Sequence, residues 1–275
     1  MRLPAFFCFL SLSAVVVPVN LCAQTGAPEP SSKGTQKAVQ VYQDGGVTET
    51  LQSIFIPPKA RAPFSLTLQT EWVKTLSDGG TITLVNQRHI ARDSKGRIFE
   101  ERRYLVPKNG KFESQITIIQ IADPHTHILY NCFQDSRKEC VQLPYDGSTS
   151  VEYKVAGPPP GPLPDGIGTA SHEELGKEFV EGVETVGTRD SVVYNPGIFG
   201  NDLRLTVERE YWYSPQLGIS LLSIRSDPRI GKQTFRATEL VLADPDPGRF
   251  ELPKGFKAVV PTHPPLPEQS ETNEQ

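Results

Sequence analysis

From residue 64 to residue 242 the chain repeats one pattern: short runs in which apolar and polar residues alternate, separated by clusters of Gly, Asp, Ser and Pro. A period of two is the repeat of a strand with one covered face, and turn residues at such regular spacing predict antiparallel hairpins. Strands are expected at 64–76, 81–93, from 97 onward, 114–122, 127–133, 140–143, 179–194, 204–213, 219–225 and 234–242. No helical patterns alternate with them, which excludes a doubly wound parallel sheet and leaves a barrel, half-barrel or sandwich. The fold class is therefore mainly β and antiparallel, with few short helices. One helix of a turn or two is expected from Ser171, where Glu174 completes a capping box and Gly176 limits the length.

Turn chemistry fixes one register in advance. Ser94-Lys95-Gly96 is a three-residue link ending in Gly, the type that needs a left-handed residue before the partner strand. Cross-strand residue numbers in that hairpin then sum to about 190. This sets His89 opposite Glu101 and Arg88 opposite Arg102. Two like charges face to face are destabilising, so either a carboxylate such as Glu100 sits diagonally between them or the ladder meets an anionic partner. Arg88 and Arg102 are on that ground candidate ligand contacts. Trp212, flanked by Tyr211 and Tyr213, is a third candidate, because aromatics on both faces of one strand suit either core packing or a ligand.

The two ends differ from the middle. Arg2, an apolar run over 6–17 and Pro18 have the layout of a secretory signal peptide at 1–23, with cleavage near Ala23 and a periplasmic or secreted destination. Cys22 raises lipidation at the mature N-terminus, although Leu21 before it is larger than that processing prefers. Residues 24–46 are polar and rich in Gly, Pro, Ser and Gln, too poor in apolar groups to repay their ordering, and are expected to be a flexible leader. Residues 261–275 carry four prolines and an acidic finish, expected as a disordered tail. Between them, 47–260 is expected as a single antiparallel β domain. A proline-rich crossing loop at 155–168 can be neither helix nor ladder strand, and it leaves two smaller β lobes as the other arrangement. No run of about 20 apolar residues is present, which argues against a membrane-spanning helix.

Loss of Arg2 with the signal peptide leaves 27 basic against 32 acidic residues, a formal charge of −5, and hence no pull on nucleic acid. Cys132 and Cys140 would then lie in an oxidising compartment. With seven residues between them, they suit two strands of one hairpin, and their bridge is expected to stabilise by roughly 2 to 3 kcal/mol. No GxSxG elbow, CxxC pair, HExxH or phosphate-cradling motif is present, so the sequence supplies no catalytic residue, cofactor or metal signature. Asp123, His125 and His127 would share one face of an unbroken strand, but Pro124 interrupts it, and a solvated strand end is expected there in place of a metal site.

The stretch from Tyr211-Trp212-Tyr213 through the turn at 214–218, a return strand, a polar turn at 227–231 and a closing strand is followed by Asp246-Pro247-Gly248-Arg249-Phe250-Glu251-Leu252-Pro253-Lys254-Gly255-Phe256. This pattern resembles the LolA-like superfamily of outer-membrane lipoprotein carriers and periplasmic lipid-binding proteins. The whole mature chain also resembles a group of uncharacterised secreted proteins of soil acidobacteria. The resemblance implies an antiparallel half-barrel whose apolar inner wall takes acyl chains. It also implies an exported envelope binding protein for a lipid, a lipoprotein or another amphipathic ligand. A structural or protein-interaction domain without a small-molecule ligand, docking on another envelope protein, is the other functional class consistent with the residues.

Overall fold

The computed structural model describes residues 54–147 and 157–261. The expected signal peptide, leader and tail beyond 261, and the first residues of the proline loop, lie outside them. The strands are β1 (Phe64–Thr75), β2 (Thr81–Arg92), β3 (Ile98–Arg103), β4 (Val106–Pro107), β5 (Ile116–Asp123), β6 (Ile128–Phe133) and β7 (Glu139–Pro144). They continue with β8 (Gly161–Pro162), β9 (Gly168–Val180), β10 (Val183–Tyr194), β11 (Leu205–Ser214), β12 (Ile219–Asp227), β13 (Gly231–Val241) and β14 (Lys257–Val259). All fourteen belong to one open, curled sheet in the order β14-β7-β6-β5-β3-β2-β1-β13-β12-β11-β10-β9-β8, with β4 pairing β2 beside the main path. Every pairing is antiparallel except that of β14 with β7. The expected mainly β, antiparallel half-barrel architecture with few helices is what the chain adopts.

Two meanders, β1 to β7 and β9 to β13, are joined because β1 pairs β2 on one side and β13 on the other. Alternation along β1 sends Phe64, Leu66 and Leu68 to one face, where they meet Ile90, Ile98, Ala122, Phe235 and Ala237. A strap at 54–63 lays Ile54 and Ile56 onto that cluster, which Leu217 of the β11–β12 turn also joins. Each such side chain removed from water contributes roughly 1.5 to 3 kcal/mol. A smaller cluster on the opposite face gathers Ala91, Phe99 and Ile121 beneath Phe250, carried by the 3-10 turn Pro247–Phe250.

Arg92 ties the strap down. Its side chain is fully buried, and its guanidinium donates to the carbonyls of Pro57 at 2.8 Å, Ala62 at 2.8 and 3.0 Å, and Leu217 at 2.6 Å. Burial pushes its pKa down to about 10, and the Phe64 ring lies 4.9 Å from the guanidinium carbon. A charge in such a place is tolerated only because carbonyl dipoles replace its water.

Several local expectations change. The segment from Ser171 is no helix: it lies inside β9, which pairs β10 along its length through the two-residue turn Glu181-Gly182. Both turn residues have positive φ, +49 and +76, the backbone that matches hairpin twist, so the run expected at 179–194 is broken into two strands. Gly176, at φ +86, lies where β9 slips register by one residue, so it bends the strand instead of ending a helix. The proline loop contributes a short edge strand after all, since Gly161 and Pro162 pair Ala170 and Thr169. A ladder tolerates proline at its outer edge, where no donor is needed. The Ser94-Lys95-Gly96 link forms as expected, with Gly96 at φ +87. The register sum of 190 holds for Ile90↔Glu100, Ala91↔Phe99 and Arg92↔Ile98.

Candidate functional site

Thr67, Gln69 and Glu71 alternate with the core residues of β1 and so face away from the strap. With their neighbours on β2 and β13 they floor a polar groove of about 920 Å³, walled by Arg103, Lys108, Asn109 and Ser114. Cross-strand pairing arranges this floor in rows. Thr238, Thr67 and His89 form one; Arg236, Gln69 and Gln87 form the next; Thr234, Glu71 and Val85 form the third.

Most of the groove's charge is neutralised internally. Lys108 Nζ donates to Glu71 Oε2 at 2.8 Å, and Thr67 Oγ1 donates to Glu239 Oε2 at 2.6 Å. Past Ile90↔Glu100 the backbone N–H of His89 turns to the Glu101 carboxylate at 3.1 Å, which also accepts from Arg103 Nε at 2.8 Å. A second hydrogen bond, to the Ser114 carbonyl at 2.9 Å, fixes the Arg103 guanidinium. Val106, at the wall, also lines a neighbouring hollow of about 540 Å³, where Tyr104, Pro107 and Phe112 stand beside Lys111, Glu113 and Gln115. Tyr104 and Phe112, 64% and 74% exposed, put two aromatic rings at its rim.

Of the residues singled out from sequence, Arg88 and Arg102 do come together, on the strap face. The β2–β3 ladder ends at Ile90↔Glu100, so the expected pairs His89/Glu101 and Arg88/Arg102 are not part of it; Glu100 Oε2 nevertheless lies between the two arginines, 3.6 Å from Arg88 Nη1 and 3.4 Å from Arg102 Nη2. Burial pushes Arg88 down to about 10, with Glu100 opposing and Arg102 reinforcing that fall. Arg102 Nε continues to Gln120 Oε1 at 2.6 Å, and Gln120 Nε2 to Asn131 Oδ1 at 2.9 Å. This is a polar chain across four strands, and it leaves the arginines engaged with the protein itself. Trp212 is buried, its Nε1 donating to Glu210 Oε1 at 2.8 Å and its ring lying on Gly187, where a Cβ would come within 2.7 Å of it.

Cys132 and Cys140 form a disulfide between directly opposed positions of β6 and β7, with Cα atoms 3.9 Å apart and both side chains fully buried. Asp123, His125 and His127 share no strand face. Asp123 Oδ1 caps a turn by accepting from His125 N at 2.8 Å, His125 Nε2 meets the Lys95 carbonyl at 3.0 Å, and His127 has φ +56. Among the described residues no group of three or more His, Cys, Asp or Glu is arranged to hold a metal, and no helix is long and apolar enough to cross a membrane.

The groove was not legible beforehand. Gln69, Gln87 and Arg236 read as ordinary outward positions of three strands, and the one signal that unites them is the β1–β13 pairing between chain segments far apart in sequence.

No family model and no curated protein matches this chain. Solved structures similar to it include a conserved protein of Thermus thermophilus, 10% identical over 73% of this chain and 91% of that one, with a TM-score of 0.35. MucB of Pseudomonas aeruginosa, in its complex with MucA, is 14% identical over 70% of this chain and 56% of that one, at 0.33. A lipoprotein-sorting domain from Vibrio parahaemolyticus is 9% identical over 66% and 86%, at 0.16. At such scores these likenesses assign neither family nor ligand. The site is defined by this chain's own geometry: a groove floored by polar side chains and a neighbouring hollow of mixed lining, sharing the wall at Val106.

Proposed function

We propose that this chain is an exported binding protein of the bacterial envelope that takes up an amphipathic ligand, a lipid or the lipid-bearing end of a lipoprotein, on the groove face of its sheet. The observation that carries this reading is the wall at Val106. On one side lies a roomy polar groove, and on the other a hollow rimmed by the exposed rings of Tyr104 and Phe112. A ligand with a polar head and an apolar body sets the head among the charged and amide groups of the groove and the body against the two rings. Export is supported by Arg2, the apolar run over 6–17 and Pro18, with cleavage near Ala23 and a periplasmic or secreted destination. A single β domain over 47–260 is supported by the continuous pairing of β1 with β13.

Mass spectrometry of compounds extracted from purified mature protein is the test. Acyl compounds are expected in the wild-type extract and depleted in a Tyr104→Ser/Phe112→Ser variant. A protein that neither carries nor takes up acyl compounds overturns the reading.

One observation favours a protein-interaction domain instead. The apolar wall, where an acyl chain would be held in a carrier half-barrel, is already covered by the chain's own Ile54, Ile56 and Leu217. In that case crosslinking in cells traps a protein partner across the groove, and the extract holds no lipid.

A further inference from the structure

Arg236 stands apart from every other charged group of the groove. Arg103 is held by Glu101 and the Ser114 carbonyl, and Lys108 by Glu71. Of the acids, Glu71 is taken by Lys108 and Glu239 by the Thr67 hydroxyl. Arg236 has neither an ion pair nor a side-chain hydrogen bond among the described residues, although two carboxylates line the same groove. Directly beside it on β1 is Gln69, and directly beside Gln69 on β2 is Gln87. Both carboxamides are likewise without side-chain partners, and all three side chains are exposed. Strands lie about 4.8 Å apart, so the three groups make a row roughly 10 Å long.

The donors in this row suit the oxygens of an anionic group. A guanidinium offers a rigid fork of N–H groups suited to the oxygens of a phosphate, and each carboxamide adds two N–H donors beside it. Arg103 is paired with Glu101 and Lys108 with Glu71, which leaves Arg236 as the cation of the groove lining without a carboxylate partner among the described residues. We infer that the groove recognises a phosphate group, gripped by Arg236 and completed by the amides of Gln69 and Gln87. This rests on the binding function proposed above and specifies its ligand as a phosphate-bearing amphipath, with the phosphate in the row and the apolar part toward Tyr104 and Phe112.

The mature protein is tested against three probes: phosphatidylglycerol vesicles, phosphatidylcholine vesicles and inorganic phosphate. The first two are read by co-sedimentation and the third by calorimetry. Phosphatidylglycerol is expected to bind about tenfold or more tighter than phosphatidylcholine, whose phosphate is paired with its own ammonium. Arg236→Gln is expected to remove that preference, as is Gln69→Ala combined with Gln87→Ala to a smaller degree. All three positions are exposed, so circular dichroism and thermal melts of the variants should match wild type. Phosphate binding alone, lost in Arg236→Gln, supports the same site with a free phosphate as the source and counts against the lipid. Equal binding of both vesicles, unchanged by Arg236→Gln, overturns the phosphate site and leaves lipid binding standing. Failure of all three probes overturns the phosphate site, while the acyl content of the extracted protein decides the lipid reading separately.

Discussion

Arg92 shows how much one polar side chain can hold. Three carbonyls from two separate segments accept from it, two of which, those of Ala62 and Leu217, have no other donor among the described residues, and each buried carbonyl left without a donor costs about 1 to 3 kcal/mol. Arg92→Ala is therefore expected to destabilise by at least about 2 kcal/mol in urea unfolding; a loss under about 1 kcal/mol would mean that water replaces the guanidinium without penalty. Gly187 makes the converse case, since its missing Cβ is the space occupied by the Trp212 ring. Gly187→Ala is expected to cost about 1 to 3 kcal/mol by overpacking, and to shift Trp212 fluorescence as the ring is displaced from Glu210. At this scale the sequence was informative about pairs near in number. The carboxylate between Arg88 and Arg102 followed from a three-residue turn. The carbonyl ligands of Arg92 did not, because backbone atoms carry no signature in a list of side chains.

Among the elements, β9 is where local signals misled most. Ser171 to Glu174 satisfies the capping box, yet the Glu181-Gly182 turn presents the whole segment to β10, and a ladder of cross-strand pairs outweighs one helical turn. The strand is pinned at its centre by His172, whose Nδ1 lies 2.6 Å from Asp190 Oδ1 and whose Nε2 lies 3.0 Å from Glu174 Oε1. These two carboxylates, Asp190 first, raise the His172 pKa above its ordinary 6.5. The clamp is thus fully present below about pH 6.5 and is lost as pH rises through the raised value. An NMR titration of His172 is expected to show a midpoint above 6.5, returning toward 6.5 in Asp190→Asn; a wild-type midpoint at or below 6.5 would contradict the clamp. The β6–β7 hairpin needs no such help from pH. Replacing Cys132 and Cys140 together by Ser is expected to lower stability by roughly 2 to 3 kcal/mol at all pH values, measured by urea denaturation with and without reductant.

For the molecule as a whole, fold class and most strand positions could be read from period and punctuation, because both are local properties. The order of strands could not, since it turns on which distant segments meet. Nor could the covering of the apolar wall by 54–63, a stretch without a strand pattern of its own. Removing residues up to 63 is expected to bare that wall, seen as increased binding of a hydrophobic dye and an unfolding transition of lower cooperativity. The pairing of β1 with β13 has a further effect, on how the protein is made. Thr67 must find Glu239, 172 positions later in the chain, before the seam between the two meanders can close. Until the final third of the polypeptide is available, β1 is a bare edge, with unpaired amides ready to accept any extended stranger. Such long-range closure is slow. The newborn chain thus passes through an interval in which its safety depends on an escort or on dilution, and its yield should fall with concentration long before its finished stability gives any warning.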